Sequence, residues 1–204
     1  MKRVSTLMLT LLISFGSYAQ QDEKEEENKG GFKKENLFTG GSVSASFFSG
    51  ATVLGISPYF GYSVTKWLDV AVSANLNYIS QRDYEVPGDK ARQTTYGPGA
   101  FVRIFPVNFI FLQGHYEYNI IKQNYIAAPN SINFYPDGKF NASSMLLGGG
   151  YASGREDGKQ VYYYMSLMFD ISKDKNSPYV DGLGRTVPLI RAGIQVPLFQ
   201  KEKN

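Results

Sequence analysis

The feature that most constrains this chain is a period of two in hydropathy that recurs along most of its length. Between Leu68 and Ser80, residues Leu68, Val70, Val72, Ala74, Leu76 and Tyr78 share one parity, and Asp69, Ala71, Ser73, Asn75 and Asn77 share the other. Side chains alternate across a strand, so this segment has one apolar and one polar face, whereas a helix would repeat its apolar residues every three or four positions. Ile110 to Ile120 follows the same scheme, with Leu112, Gly114, Tyr116 and Tyr118 opposed to Gln113, His115, Glu117 and Asn119. Ile190 to Leu198 sets Ile190, Ala192, Ile194, Val196 and Leu198 against Arg191, Gly193 and Gln195. Eight strands are predicted, at 40–49, 53–64, 67–80, 93–105, 108–121, 140–152, 160–172 and 187–199.

The connections alternate too. Short turns are predicted at Thr65–Lys66, Pro106–Val107 and Gly154–Lys159, and long polar loops at Gln81–Arg92, Lys122–Lys139 and Lys173–Thr186, with Gly50–Thr52 a short exception. Short turns at one end, long loops at the other and an even strand number describe an all-β, eight-stranded antiparallel up-and-down barrel. Pro58 and Pro98 each remove a ladder donor and are expected at a bulge or at the rim.

Composition decides which face points out. The chain is 43% hydrophobic and 15% aromatic, yet its mean hydropathy is −0.26. A soluble barrel, such as a lipocalin-like binder, keeps its apolar face inside and covers its exterior strand face with Lys and Glu; a transmembrane barrel inverts this. Here every Lys after residue 19 falls in a predicted tail, turn, loop or C-terminus. The polar parity carries Ser, Gly, Asn and a few charges against Leu, Ile, Val and Tyr, so a transmembrane β-barrel is predicted. A strand of about 11 residues tilted near 45° spans about 25 Å, the height of the apolar band of such barrels. Phe60, Tyr62, Tyr78, Tyr116, Tyr118 and Tyr163 suit the membrane interfaces.

The ends read differently. Lys2 and Arg3, an apolar stretch to Phe15, and small residues at Ser17 and Ala19 form a secretory signal peptide over 1–19, cleaved near Ala19. Residues 20–37 form a charged periplasmic tail, 38–199 the barrel and 200–204 a short C-terminal tail. Without Lys2 and Arg3 the 21 basic residues fall by two against 18 acidic ones, leaving a formal charge near +1 and no argument for nucleic acid. The absence of Cys excludes disulfides and thiolate metal centres.

In this pattern the chain resembles the small eight-stranded outer-membrane barrels of Gram-negative bacteria, the group that includes the OmpA transmembrane domain, OmpX and OmpW. The most specific local element is Gly193, Ile194, Gln195, Val196, Pro197, Leu198 and Phe199, which looks like the C-terminal signal read by the barrel-assembly machinery; Gln200 to Asn204 follow the aromatic instead of ending on it. The resemblance implies the cell outer membrane as location, with outer-membrane lipid and that machinery as partners.

An eight-stranded barrel encloses little more than its own side chains. The charges on the polar parity, Asp69, Glu117 and Asp170 against Arg103 and Arg191, together with His115, are therefore expected to form a compact lumen charge network. The expected function is non-enzymatic: envelope structure or surface interaction through extracellular loops, with Tyr84, Tyr125, Phe134, Tyr135 and Tyr179 as candidate recognition residues. Two alternatives stand beside it. One is a narrow channel for small solutes or apolar ligands. The other is a lipid A or phospholipid acyl hydrolase, in which His115, with Glu117 two positions on, would serve as base. No cofactor or metal is expected, because one His without Cys leaves only carboxylates as further ligands.

Overall fold

The structure, a computed structural model, describes residues 31–48, 51–83, 86–129, 137–155, 160–181 and 184–199. The predicted signal peptide, most of the charged tail and the last five residues lie outside these ranges. Eight strands follow a short 3-10 turn at Lys34–Asn36: β1 (Leu37–Phe48), β2 (Ala51–Thr65), β3 (Leu68–Arg82), β4 (Lys90–Val107), β5 (Ile110–Ile126), β6 (Gly138–Ala152), β7 (Tyr162–Asp170) and β8 (Leu189–Pro197). Each pairs antiparallel with its neighbours in sequence, and β8 pairs with β1, so the sheet closes on itself. Closure matters because a sheet with no edge leaves no row of unpaired backbone groups. No helix among the described residues is long and apolar enough to cross a membrane.

The alternation in the sequence becomes the two faces of this wall. In β7 burial alternates at every residue, with Tyr162, Tyr164, Ser166, Met168 and Asp170 inside and Tyr163, Met165, Leu167 and Phe169 outside. On β3, Asp69, Ala71, Ser73, Asn75 and Asn77 point inward, as the period of two requires. Outside stand Val72, 62% exposed, Met165, 60% exposed, and Leu112, 55% exposed. Glycines on the inward face make room for what fills the interior. A Cβ at Gly193 would meet the Tyr164 ring at 2.6 Å, and one at Gly150 the Phe111 ring at 2.7 Å.

Several boundaries differ from expectation. Strands β3, β4 and β5 run on beyond the predicted ends, so the β3–β4 connection shrinks to residues 83–89 and Tyr125 lies on a strand. Cross-strand pairs as far out as Arg82 with Lys90 and Lys90 with Ile126 sustain the extension. The β4–β5 turn falls at Asn108–Phe109, because Val107 still pairs with Ile110. Pro58 and Pro98 occupy neither a bulge nor the rim. They sit mid-strand with exposed rings, each paired in register on one side, Pro58 with Gly41 and Pro98 with Ala74. On the other side the pairing skips residues 57–58 and 97–98 and resumes in the same register. The sheet absorbs each missing donor locally, and its register shifts lie elsewhere, at Ser63/Thr65 and Ile104/Val107.

Candidate functional site

The lumen holds the chemistry, and it divides into two zones along the barrel axis. Near the turns, inward residues of five strands supply Phe38, Tyr59, Phe101, Phe105, Phe111, Tyr162 and Tyr164 as one apolar cluster. Arg103 lies inside it, 1% exposed, with its guanidinium carbon 4.3 Å from the Tyr164 ring centre, 4.6 Å from Phe111 and 5.0 Å from Phe101. Its polar contacts are neutral: Nε donates to Gln113 Oε1 at 3.0 Å, and Nη1 donates to Tyr162 Oη and Gln195 Oε1, both at 3.3 Å. Weakly hydrated guanidinium on aromatic faces is a favourable way to bury that cation.

Asp69 sits directly opposite Arg103 in register, yet its ion-pair partner is Arg155, with Nη2 2.6 Å from Oδ1. Ser63 Oγ donates to the same carboxylate at 2.8 Å, and the Gln195 amide links it at 3.4 Å to the Arg103 group. Arg155 was not among the expected site residues. It follows β6 in the predicted turn and folds back to stack 4.1 Å from the Phe105 ring and to donate to the Lys66 carbonyl. The excess of one acid over the inward bases is the signal that could have pointed to it; no local pattern says that a turn residue supplies the cation.

Toward the loops the lumen is polar. Strand β5 presents His115 and Glu117 at successive inward positions, and β8 brings Arg191 across to both. Arg191 Nη2 lies 2.5 Å from Glu117 Oε1, and Nη1 lies 2.6 Å from His115 Nδ1. Ser73 Oγ lies 3.0 Å from His115 Nε2, and Glu117 Oε1 is 3.6 Å from Nδ1. The set has the membership of a Ser–His–acid triad but the wrong proton. A guanidinium can only donate, so His115 Nδ1 accepts from Arg191, the ring carries its proton on Nε2, and Nε2–H donates to Ser73. A general base needs a free lone pair facing the hydroxyl.

The loop after β7 closes this zone. Tyr179, expected as a surface recognition residue, is 2% exposed and packs with Leu146, Met168 and Leu189. Its hydroxyl donates to Glu117 Oε2 at 2.6 Å and accepts from Asn77 Nδ2 at 3.0 Å. Burial and the adjacent Glu117 carboxylate push the phenol well above its ordinary range, so it stays a donor. Asp170 anchors the same loop: it accepts from the Ser177 hydroxyl and from the backbone N–H groups of Met145 at 3.2 Å and Ser172 at 2.8 Å.

All six expected lumen residues are thus at most 3% exposed, but they do not form one network. His115, Glu117 and Arg191 meet; Asp69 pairs with Arg155; Arg103 and Asp170 have no ion-pair partner among the described residues and rely on rings, neutral acceptors and N–H donors. Of the expected loop aromatics, Tyr84, Phe134 and Tyr135 lie outside the described residues, and Tyr125 donates its hydroxyl to Asp89 Oδ2 at 2.9 Å. No group of three or more His, Cys, Asp or Glu able to hold a metal occurs among the described residues.

No family model and no curated protein matches the sequence. Among solved structures, the chain is similar to the N-terminal β-barrel domain of Pseudomonas aeruginosa OprF, at 13% identity over 79% of this chain and 96% of that one, with a TM-score of 0.44. It is similar to Ail, the attachment invasion locus protein of Yersinia pestis, at 12% identity over the same shares with a TM-score of 0.45. Neisserial surface protein A is similar at 12% identity, again over 79% and 96%, with a TM-score of 0.40. At these levels the fold rests on this chain's own strand pairing: an all-β, eight-stranded antiparallel barrel closed by β1 and β8.

Proposed function

We propose that the chain is a non-enzymatic β-barrel of the outer membrane, with a role in envelope structure or surface interaction. The observation that carries this reading is the inverted distribution of its faces. Ile56, Val72, Leu112, Met165 and Ile190 are about half exposed or more on the outer wall, while Asp69, Arg103, Glu117 and Arg191 are buried within. An apolar band around a whole barrel far exceeds the patches that soluble monomers expose, and hydrocarbon is the medium that suits it. In this reading residues 1–19 direct export and are removed. The short turns and both chain termini face the periplasm, and the long connections face outward. The strand from Gly193 to Phe199 serves assembly.

The interior supports structure over transport or hydrolysis. Aromatic rings fill the turn half, the Tyr179 loop fills the other, and His115 holds its proton on the nitrogen that faces Ser73. Outer-membrane fractionation followed by gel migration with and without boiling tests the placement. A membrane-bound, heat-shifted band is expected, and recovery of a soluble periplasmic protein overturns it. Planar-bilayer recording is expected to show no steady conductance; discrete channel openings would favour the narrow-channel alternative.

A further inference from the structure

The outer wall is not uniform around its circumference. On β1, β2, β7 and β8 every outward strand position is uncharged, as in the run Tyr163, Met165, Leu167 and Phe169. On β3 to β6 the outward parity changes character at the loop end. Above Leu76 and Tyr78 on β3, Tyr96 on β4 and Tyr118 on β5, the same face carries Arg82, Lys90, Arg92, Lys122 and Lys139, all exposed. The strand register stacks them in rows. Lys122 is directly opposite Lys139, and Arg82 directly opposite Lys90, with Arg92 in the row between.

Like charges directly opposite on adjacent strands are unfavourable, and here two such pairs occur on one face. No described carboxylate forms an ion pair with any of the five. The described acids in the flanking connections are engaged elsewhere: Asp137 accepts from Tyr125 N–H at 3.1 Å, Asp83 from Gly88 N–H at 2.6 Å, and Asp89 from Val86 N–H at 3.1 Å and the Tyr125 hydroxyl at 2.9 Å. The Lys122 ammonium lies 5.4 Å from the Tyr96 ring centre, which ties the cationic rows to the upper edge of the apolar band. An anion arriving from outside relieves this repulsion.

Position selects the anion's source. These are strand residues on the wall, continuous with the apolar face below them, so their occupant stands beside the barrel. We propose that this face binds a phosphomonoester-bearing lipid headgroup in the leaflet around the barrel. The proposal rests on the membrane reading above. A phosphomonoester carries about −1.5 to −2 charge and three acceptor oxygens, enough to face both members of an opposed cationic pair, whereas a phosphodiester carries a single charge.

The test folds the mature chain into phosphatidylcholine vesicles containing a minor fraction of a glycolipid bearing phosphomonoesters. The barrel is then extracted in mild detergent, and native mass spectrometry counts the glycolipid retained per barrel. Wild type is expected to retain it about thirtyfold more than the R92Q/K122Q/K139Q variant, and to retain neither the dephosphorylated glycolipid nor phosphatidylglycerol comparably. Should the triple variant give no heat-shifted band, Lys139→Gln alone is compared, with an expected loss of about threefold. Equal retention by a folded variant, or by wild type of the dephosphorylated lipid, overturns the headgroup site and leaves the membrane reading intact. Soluble heparin displacing the glycolipid from wild type while failing to bind the variant overturns the lipid in favour of a soluble polyanion. Failure of wild type to insert into vesicles overturns the membrane reading and the headgroup site with it.

Discussion

The turn half and the loop half of the lumen each bury an arginine, and they stabilise it by different means. Arg191 sits on the Glu117 carboxylate at 2.5 Å, with His115 and Tyr179 completing a charged, hydrogen-bonded cluster. Arg103 has no carboxylate within ion-pair distance among the described residues; three aromatic faces and neutral oxygens surround it. The lesson concerns what each half leaves behind when one group is removed. In the loop half a deletion strands an opposite charge in a closed space. At Arg103 in the turn half it leaves neutral groups that can relax, whereas the nearby Asp69–Arg155 pair follows the rule of the loop half.

The largest effect is therefore expected from Glu117→Gln, which leaves the Arg191 guanidinium buried without its counter-charge. Loss of about 3–5 kcal/mol is expected in urea unfolding, followed by the heat-shifted band. Adding Arg191→Met to that variant removes the stranded charge and is expected to restore much of the loss, giving a strongly non-additive cycle. Arg103→Met, measured the same way, is expected to cost about 1–3 kcal/mol, mostly cation–π and hydrogen-bond energy. If it costs as much as Glu117→Gln, the contrast between the halves is broken. Tyr179→Phe removes the bond to Glu117 and strands one donor of Asn77; about 1–2 kcal/mol is expected. The smallest effect is expected from Ser73→Ala, about 1 kcal/mol, because only one neutral acceptor for His115 Nε2–H is lost.

These differences track how the residues could be read. Asp69, His115, Glu117 and Arg191 lie on regularly alternating strands, so their inward direction follows from parity alone. The aromatic half was harder to see. Around Phe101 the two faces differ only at Arg103, with Ala100, Val102 and Ile104 outward against Phe101 and Phe105 inward, and Tyr162, Tyr163 and Tyr164 run consecutively. Alternation carries no information where both faces are hydrophobic. Arg155 and Tyr179 fall in connections, where no periodicity exists, and the rule that confines proline to edges misplaces Pro58 and Pro98 in a sheet that has no edge.

By itself the sequence determined the strand number, the antiparallel order and the inverted faces, because a clear period of two in several segments, with turns and loops marking off eight of strand length, admits few other solutions. Which charges meet was decided only by closure of the barrel. Strand parity sets whether a side chain points inward, but register across the closing β8–β1 seam and the return of two connections set what it finds there. Thus Arg191 reaches Glu117 across the lumen, Arg155 reaches Asp69 from a turn, and a tyrosine from a polar loop becomes the lid of the interior.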